Sequence, residues 1–328
     1  MSAANENVDR TLSVILPAYN ESTGIGAVLD QLRNALPVDG IAYEVIVVDD
    51  GSTDGTANIV RERASAQPIV LLQHHANRGY GAALKTGIRH ARHDTLCITD
   101  ADGTYPNERL LHLLTTMTET HADMVVGART GENVHIPLIR RPAKWAIGRM
   151  ANLVAGEPIP DLNSGLRIFR RDVALDFFDL LPDGFSFTTT ITLAMMTNGY
   201  LVEYVPIDYH PRVGKSKIRP VRDTLNFMQL IMRIALYFAP LKLFLPLSLL
   251  LILLGIVWAL FSYFALGKLA DVSTLVILMT ALQVAVIGLL AELINRRFPG
   301  YGRPEPVVEV HDEAAHTPQS KAAQDGRP

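Results

Sequence analysis

Leu96-Cys97-Ile98-Thr99-Asp100-Ala101-Asp102-Gly103 is the stretch on which the reading of this chain turns. A short apolar run rich in strand formers ends in two carboxylates one residue apart, followed by glycine. Such a run reads as a buried strand that delivers acids to the mouth of a sheet, where α/β folds bind ligands. If strand pairing continued through the acids, Asp100 and Asp102 would point the same way, because side chains alternate along a strand. Two hard oxygen ligands on one wall of a cleft suit Mg²⁺ or Mn²⁺, which keeps a few carboxylates and takes phosphate oxygens for the rest. The competing reading is a plain turn, since Asp and Gly both favour turns.

The sequence on either side extends the pattern. Strand-like runs at 11–17, 43–48 and 69–73 each feed a polar loop, and helical apolar spacing covers 24–36, 56–63 and 82–91. Beyond the acids, Tyr105-Pro106 opens a helix carrying Leu110, Leu113, Leu114 and Met117, and a fifth strand at 123–127 ends at Ala128-Arg129. A polar loop from Asp161 leads into another strand, then a helix at 185–196 and a strand at 201–207. β-α alternation at a spacing of roughly 25–30 residues argues for a doubly wound, mostly parallel sheet with its acids at the C-terminal edge. Neither G-x-x-x-x-G-K-[ST] nor G-x-G-x-x-G occurs in a suitable context, which argues against a P-loop kinase and a dehydrogenase.

Hydrophobic residues make up 48% of the 328, and the final third holds the long uncharged runs. The net charge of −3 points to no nucleic-acid partner. The lone cysteine, Cys97, rules out an internal disulfide, fits a reducing compartment and reads as core packing. Residues 1–10 are polar, without the apolar region of a cleaved signal peptide, and read as disordered, as does the polar tail at 304–328.

Around 136–155, Arg140, Arg141, Lys144 and Arg149 are interleaved with aliphatics and Trp145, a membrane-surface pattern that an ordinary surface helix could also show. His210-Pro211-Arg212-Val213-Gly214-Lys215-Ser216-Lys217 is a basic loop suited to a phosphate or to anionic lipid. An amphipathic segment at 221–239 leads to two apolar runs, 241–266 and 272–294, each long enough to cross a hydrocarbon core of ~30 Å. Both outer flanks carry the cations, so the positive-inside rule predicts a two-helix hairpin with both termini and the 11–220 domain on the cytoplasmic side of the inner membrane, a multi-pass arrangement.

The ordered motifs resemble a known family. LSVILPAYNE at 12–21, VVDDGSTDGT at 47–56, NRGYGA at 77–82, DAD at 100–102, NSGLR at 163–167 and RVGKSK at 212–217 are similar to family 2 glycosyltransferases of GT-A fold. Within that family they most resemble the dolichol-phosphate mannose synthase-like polyprenyl-phosphate enzymes. The terminal hairpin resembles that of bacterial polyprenyl-phosphate glucosyltransferases. The resemblance implies a nucleotide pocket containing Pro17, Tyr19, Glu21, Val48, Asp50 and Ala101, with Arg212 and Lys217 closing over it. It implies a metal and diphosphate site at Asp100 and Asp102, a phosphate-contacting Arg129, and Ser164 and Arg167 in an acceptor-side motif. Some mannose synthases carry a Gln ligand two residues after the second acid; here that position is Thr104.

The implied reaction is inverting transfer of a hexose from a UDP- or GDP-sugar to undecaprenyl or dolichyl phosphate, with Mg²⁺ or Mn²⁺. A phosphate monoester with second pKa near ~6 is largely dianionic at neutral pH, so the nucleophile needs no strong base and the task is shielding charge. Among the available cations, Arg129 and one of Arg140 or Arg141 are expected to meet the acceptor phosphate. A non-catalytic scaffold and a processive polysaccharide synthase are the alternatives. The retained acids argue against the first, and the missing Gln-x-x-Arg-Trp signature and further spans argue against the second. The sugar, the nucleotide and the oligomeric state, a homo-oligomer included, stay open.

Overall fold

The computed structural model describes residues 11–36, 41–130, 141–208, 220–267 and 271–297. The N-terminal half alternates strand and helix: β1 Thr11–Ala18, α1 Ile25–Ala35, β2 Ala42–Asp49, α2 Thr56–Ala64, β3 Ile69–Gln73, α3 Tyr80–His90, β4 Thr95–Ile98, α4 Leu110–Thr120 and β5 Met124–Ala128. There follow α5 Arg141–Ala155, β6 Arg167–Arg170, α6 Arg171–Asp176, α7 Phe187–Thr197, β7 Val202–Pro206, α8 Pro220–Phe238, α9 Pro240–Leu266 and α10 Asp271–Arg297.

The seven strands form one sheet in the order β3-β2-β1-β4-β6-β5-β7. Four of its pairings are parallel, and only β6 runs against its neighbours, at β4 and β5. The mostly parallel sheet expected from the β-α alternation is therefore present, with one reversed strand wedged beside the acid-bearing strand. Every residue of β1 after Thr11 is buried, as fits a central parallel strand covered on both faces. One face packs Leu12, Val14, Leu16 and Val47 against α1, α2 and α4. The other packs Ile15, Ile46, Val48 and Phe169 against α3, α6 and α7. Each fully buried aliphatic of this kind contributes roughly 1.5–3 kcal/mol.

A third apolar cluster lies outside the sheet. Ala151 and Val154 of α5, Leu193 of α7, and Ile231, Ile234 and Ala235 of α8 pack together. The two amphipathic segments thus turn one face onto each other and onto α7. Met232, Leu236 and Tyr237 of α8 and Leu153 of α5 remain exposed on the other side. The two helices do not lie wholly on a lipid surface, because α7 supplies an apolar partner that local periodicity cannot reveal.

The chain then enters α9 and α10, which pack against each other. Residues Pro240–Ala265 and Val272–Ile294 are long and apolar enough to cross a membrane, with mean hydropathy 2.7 and 2.4, and only 11% and 17% of their 18-residue apolar stretches is buried. Helices this apolar and this exposed are not the core of a soluble domain. Trp258 Nε1 donates to Ser273 Oγ across the hairpin at 2.8 Å. Lys242, in the first turn of α9, donates to Val154 O at 2.8 Å, so a cation caps a C-terminal carbonyl of α5 and ties the hairpin to the α/β domain.

Candidate active site

The site lies along the C-terminal ends of β1, β2 and β4, where the loops after three adjacent parallel strands converge. The loops after β1 and β2 are laced together. Asn20, in a left-handed conformation with φ +56°, accepts from Thr53 N at 2.9 Å, while its own N–H donates to Ser52 Oγ at 2.9 Å. Glu21 N donates to Thr56 Oγ1 at 3.0 Å. Asp54 accepts from Ser22 N and Thr56 N. Burial acts to raise the Asp54 carboxyl, but the Thr56 hydroxyl and these bonds together outweigh it and draw it down to about 2.

Asp50 is 3% exposed, and its carboxylate organises the next loop. Oδ1 accepts from His74 Nδ1 at 2.6 Å and Arg78 N at 2.9 Å, and Oδ2 accepts from Gly79 N at 2.8 Å. Tyr19, by contrast, is 42% exposed beside it. Pro17 and Ala101 are buried, and the Val48 side chain sits in the core under α3 rather than in an open pocket. That placement follows from the pleat, which turns alternate residues of β2 to opposite faces of the sheet.

The acids themselves depart from simple strand geometry. β4 ends at Ile98, and Asp102 lies in a turn with Gly103 at φ +75°. Asp102 Oδ1 accepts from Thr104 N at 3.1 Å and Thr104 Oγ1 at 2.7 Å, a local loop that competes with strand continuation. The turn reading thus holds for Asp102 and Gly103. Thr104 is 1% exposed, so its hydroxyl orients the second acid from behind. Tyr80 Oη donates to Asp100 Oδ1 at 3.0 Å. Burial above all, and then the Asp100 charge, hold the Tyr80 phenol well above its ordinary value, so it stays a donor. A Cβ on Gly165 would sit 2.9 Å from Asp100 Oδ2, so only glycine lets the 161–166 segment lie this close. Gly165 N also donates to the buried Tyr105 Oη at 2.6 Å.

Arg129, just past β5, lies against Asp161: Nε to Oδ2 is 2.7 Å and an Nη to Oδ1 is 2.9 Å. Ser164 and Arg167 were expected on the acceptor side, yet both are fully buried. Ser164 Oγ donates to Gly127 O at 2.5 Å. Arg167 donates to Ser164 O, Thr188 O and Thr192 Oγ1, binding the 161–166 segment to α7. These two side chains brace the 161–166 loop from within, because β6 carries Arg167 into the middle of the sheet. Arg140, Arg212 and Lys217 lie outside the described residues, and Arg141 is described only as the first residue of α5.

His74, Tyr80 and Asp161 escaped sequence reasoning as site residues. Tyr80 stands inside the NRGYGA motif and could have been singled out there; nothing local to Asp161 announces that it meets a residue 32 positions earlier. Among the described residues no cluster of three or more His, Cys, Asp or Glu side chains could hold a metal alone. Two carboxylates with phosphate oxygens completing the shell is nevertheless the donor set that Mg²⁺ and Mn²⁺ accept, and Asp100 and Asp102 fit it.

The sheet order, the acids at its edge and the appended hairpin together define a GT-A-type glycosyltransferase. The model of glycosyl transferase family 2 matches residues 13–178, and the chain belongs to that family. The GtrB C-terminal hairpin model matches residues 239–296. The chain is 32% identical over 214 residues to an undecaprenyl-phosphate mannosyltransferase of Micrococcus luteus, covering 62% of this chain and 86% of that one. It is 30% identical to a polyprenol monophosphomannose synthase of Mycolicibacterium smegmatis, over 64% of this chain and 81% of that one. Against the low-salt glycan biosynthesis hexosyltransferase Agl6 of Haloferax volcanii, 31% identical, the match takes in 67% of this chain but only 53% of the relative's length. Among solved structures, glucosyl-3-phosphoglycerate synthase of Mycobacterium tuberculosis shares the fold, with a TM-score of 0.51 at 21% identity over 69% of this chain and 80% of that one.

Proposed function

We propose that this glycosyltransferase moves a hexose from a nucleoside diphosphate sugar to the phosphate of a membrane-held polyprenol, with inversion at the anomeric carbon. The observation that carries the reading is the joining, in one chain, of paired acids at a GT-A sheet edge to a hairpin apolar enough to span a membrane. The names of the relatives, which act on undecaprenyl, polyprenol or dolichyl phosphate, support it.

Asp100 and Asp102 would hold a divalent ion, Mg²⁺ or Mn²⁺, whose chemistry is to neutralise the leaving diphosphate. Tyr80 and Thr104 orient those carboxylates, and Asp50 shapes the nucleotide pocket by fixing the loop at 74–79. The acceptor phosphate is itself a dianion near neutral pH, so the protein needs cations more than a base. Arg129, already held in place by Asp161, and the basic segments at 140–141 and 212–217 supply them. Catalysis takes place at the cytoplasmic face, with both termini on that side.

The test is transfer by the full chain in nanodiscs from a panel of UDP- and GDP-hexoses to undecaprenyl phosphate. A polyprenyl-phosphate hexose that forms in the wild type and not in Asp102→Asn supports the reading. No lipid-linked product from any donor would sink it.

A further inference from the structure

The catalytic domain carries one aromatic side chain far more exposed than its core allows for. Phe185 is 81% exposed, against 42% for Tyr19, the next most exposed aromatic on the described part of that domain. It is also held in place. Ala82 N donates to Asp183 O at 3.0 Å, and Lys85 Nζ pairs with Asp183 Oδ1 at 2.9 Å, which clamps the preceding residues onto the first turns of α3. Gly81 allows that approach, since a Cβ there would lie 2.1 Å from Pro182 O. The Phe185 ring stacks on Tyr80, with centroids 5.6 Å apart and planes 17° from parallel. Tyr80 in turn donates to Asp100.

We infer that Phe185 is a specificity-determining residue whose free face packs against the C–H face of the hexose being transferred. The inference rests on the reading of Asp100 as part of the diphosphate site. The hexose is bonded to the diphosphate through its anomeric carbon, so it must lie within one sugar's breadth of that acid. Phe185 stands one aromatic ring away from the same acid, on the Tyr80 side. An aromatic face prefers C–H groups and apolar edges to hydroxyls, so a ring here reads the pattern of axial and equatorial hydroxyls by what its face can tolerate.

The prenyl chain of the acceptor is the rival occupant, and the fold disfavours it. Phe185 precedes the N-terminal end of α7, whereas Thr197 at the other end lines a cavity with Leu241, Lys242 and Leu245 at the start of the hairpin. Eleven helical residues separate the two ends, about 16 Å. The ring therefore stands the length of α7 from the cavity beside the hairpin, which favours the sugar over the prenyl chain as its occupant.

Binding of UDP-glucose, GDP-mannose, UDP and GDP to the full chain with Mn²⁺, followed by calorimetry, tests this. For the nucleotide sugar that wild type uses, Phe185→Ala is expected to weaken binding about three- to tenfold. Affinity for the bare nucleoside diphosphate should stay within twofold and the KM for undecaprenyl phosphate should be unchanged. Phe185→Trp, which keeps an aromatic face, should retain donor affinity. An unchanged donor affinity in Phe185→Ala overturns the inference. So does an equal loss for sugar nucleotide and bare diphosphate, a loss in Phe185→Trp as large as in Phe185→Ala, or a defect confined to the lipid phosphate. A wild type that moves no hexose from any UDP- or GDP-hexose of the panel instead overturns the underlying assignment of function, and this inference with it.

Discussion

Asp161 grips Arg129 at two points, 2.7 Å to Nε and 2.9 Å to an Nη, and also accepts from the Arg129 backbone N–H at 3.1 Å. The one arginine of the sheet edge that the motif pattern singles out for a phosphate is thus a pre-oriented group on a short leash. Its guanidinium is held in one orientation by the protein itself, so a phosphate contact there, as proposed, would carry a lower ordering cost.

That pairing sets a pH dependence. Burial acts to raise the Asp161 carboxyl, but the Arg129 bonds and charge and the Asn163 N–H outweigh it, and its value is lowered. A depressed carboxylate adds stability that is complete above the unfolded value of about 3.9 and is lost as pH falls through the lower folded value. Asp161→Asn should cost about 1–3 kcal/mol near pH 7. The gap between wild type and variant should stay constant down to about pH 5 and narrow below about pH 4. Thermal melts of both proteins across that range measure it; a gap that widens on acidification contradicts the pairing.

Thr104 occupies the position where some related enzymes place a Gln ligand, and here its hydroxyl holds Asp102. Thr104→Val keeps the shape and removes that hydrogen bond. Apparent affinity for Mn²⁺ should fall about 10–100-fold, as for other residues that orient metal ligands, with little change in melting temperature. Thr104→Ser should restore most of it. Mn²⁺ titration of initial rates reads both variants, and equal metal dependence in Thr104→Val and wild type would show that the threonine does not orient the acid.

Gly81 inverts the usual rule for helix glycines. Replacing a helical Gly by Ala ordinarily gains up to about 1 kcal/mol. In the first turn of α3 the added methyl would meet Pro182 O at 2.1 Å and Asp183 C at 2.9 Å, both backbone atoms that cannot simply swing aside. Gly81→Ala should therefore destabilise by about 2 kcal/mol or more. It should also weaken donor binding, because the displaced 182–186 segment carries Phe185. Chemical unfolding and donor calorimetry on the same preparation check the two effects together.

Topology is open to direct test. Reporter fusions after Arg10 and after Arg303 should both score cytoplasmic, and a fusion at Lys268 should score on the opposite side, because the cations cluster on the outer flanks of the apolar pair while the segment joining it carries a single Lys and a single Asp. A cytoplasmic signal at Lys268 would mean that α9 and α10 do not cross as a hairpin.

The sequence alone determined the sheet class, the acid-bearing strand end and the apolar hairpin. Each rests on local signals: period-two and all-apolar runs, helical spacing, Asp-Gly turns, and apolar stretches long enough to cross a hydrocarbon core. Element ends moved by a few residues, with α3 beginning at Tyr80 where the apolar spacing suggested 82. Tertiary structure alone decided the rest. The reversal of β6 depends on which long-range partners close the ladder, and it carries Arg167, which the resemblance placed in an acceptor-side motif, into the core. The burial of one face of α5 and α8 depends on α7, more than thirty residues from either contact pair. Tyr80 on Asp100 and Asp161 on Arg129 are set by short polar distances between segments that the chain brings together only by folding. A hydrogen bond acts over about 3 Å and leaves no periodic trace in sequence, whereas hydrophobic burial acts on whole faces and does.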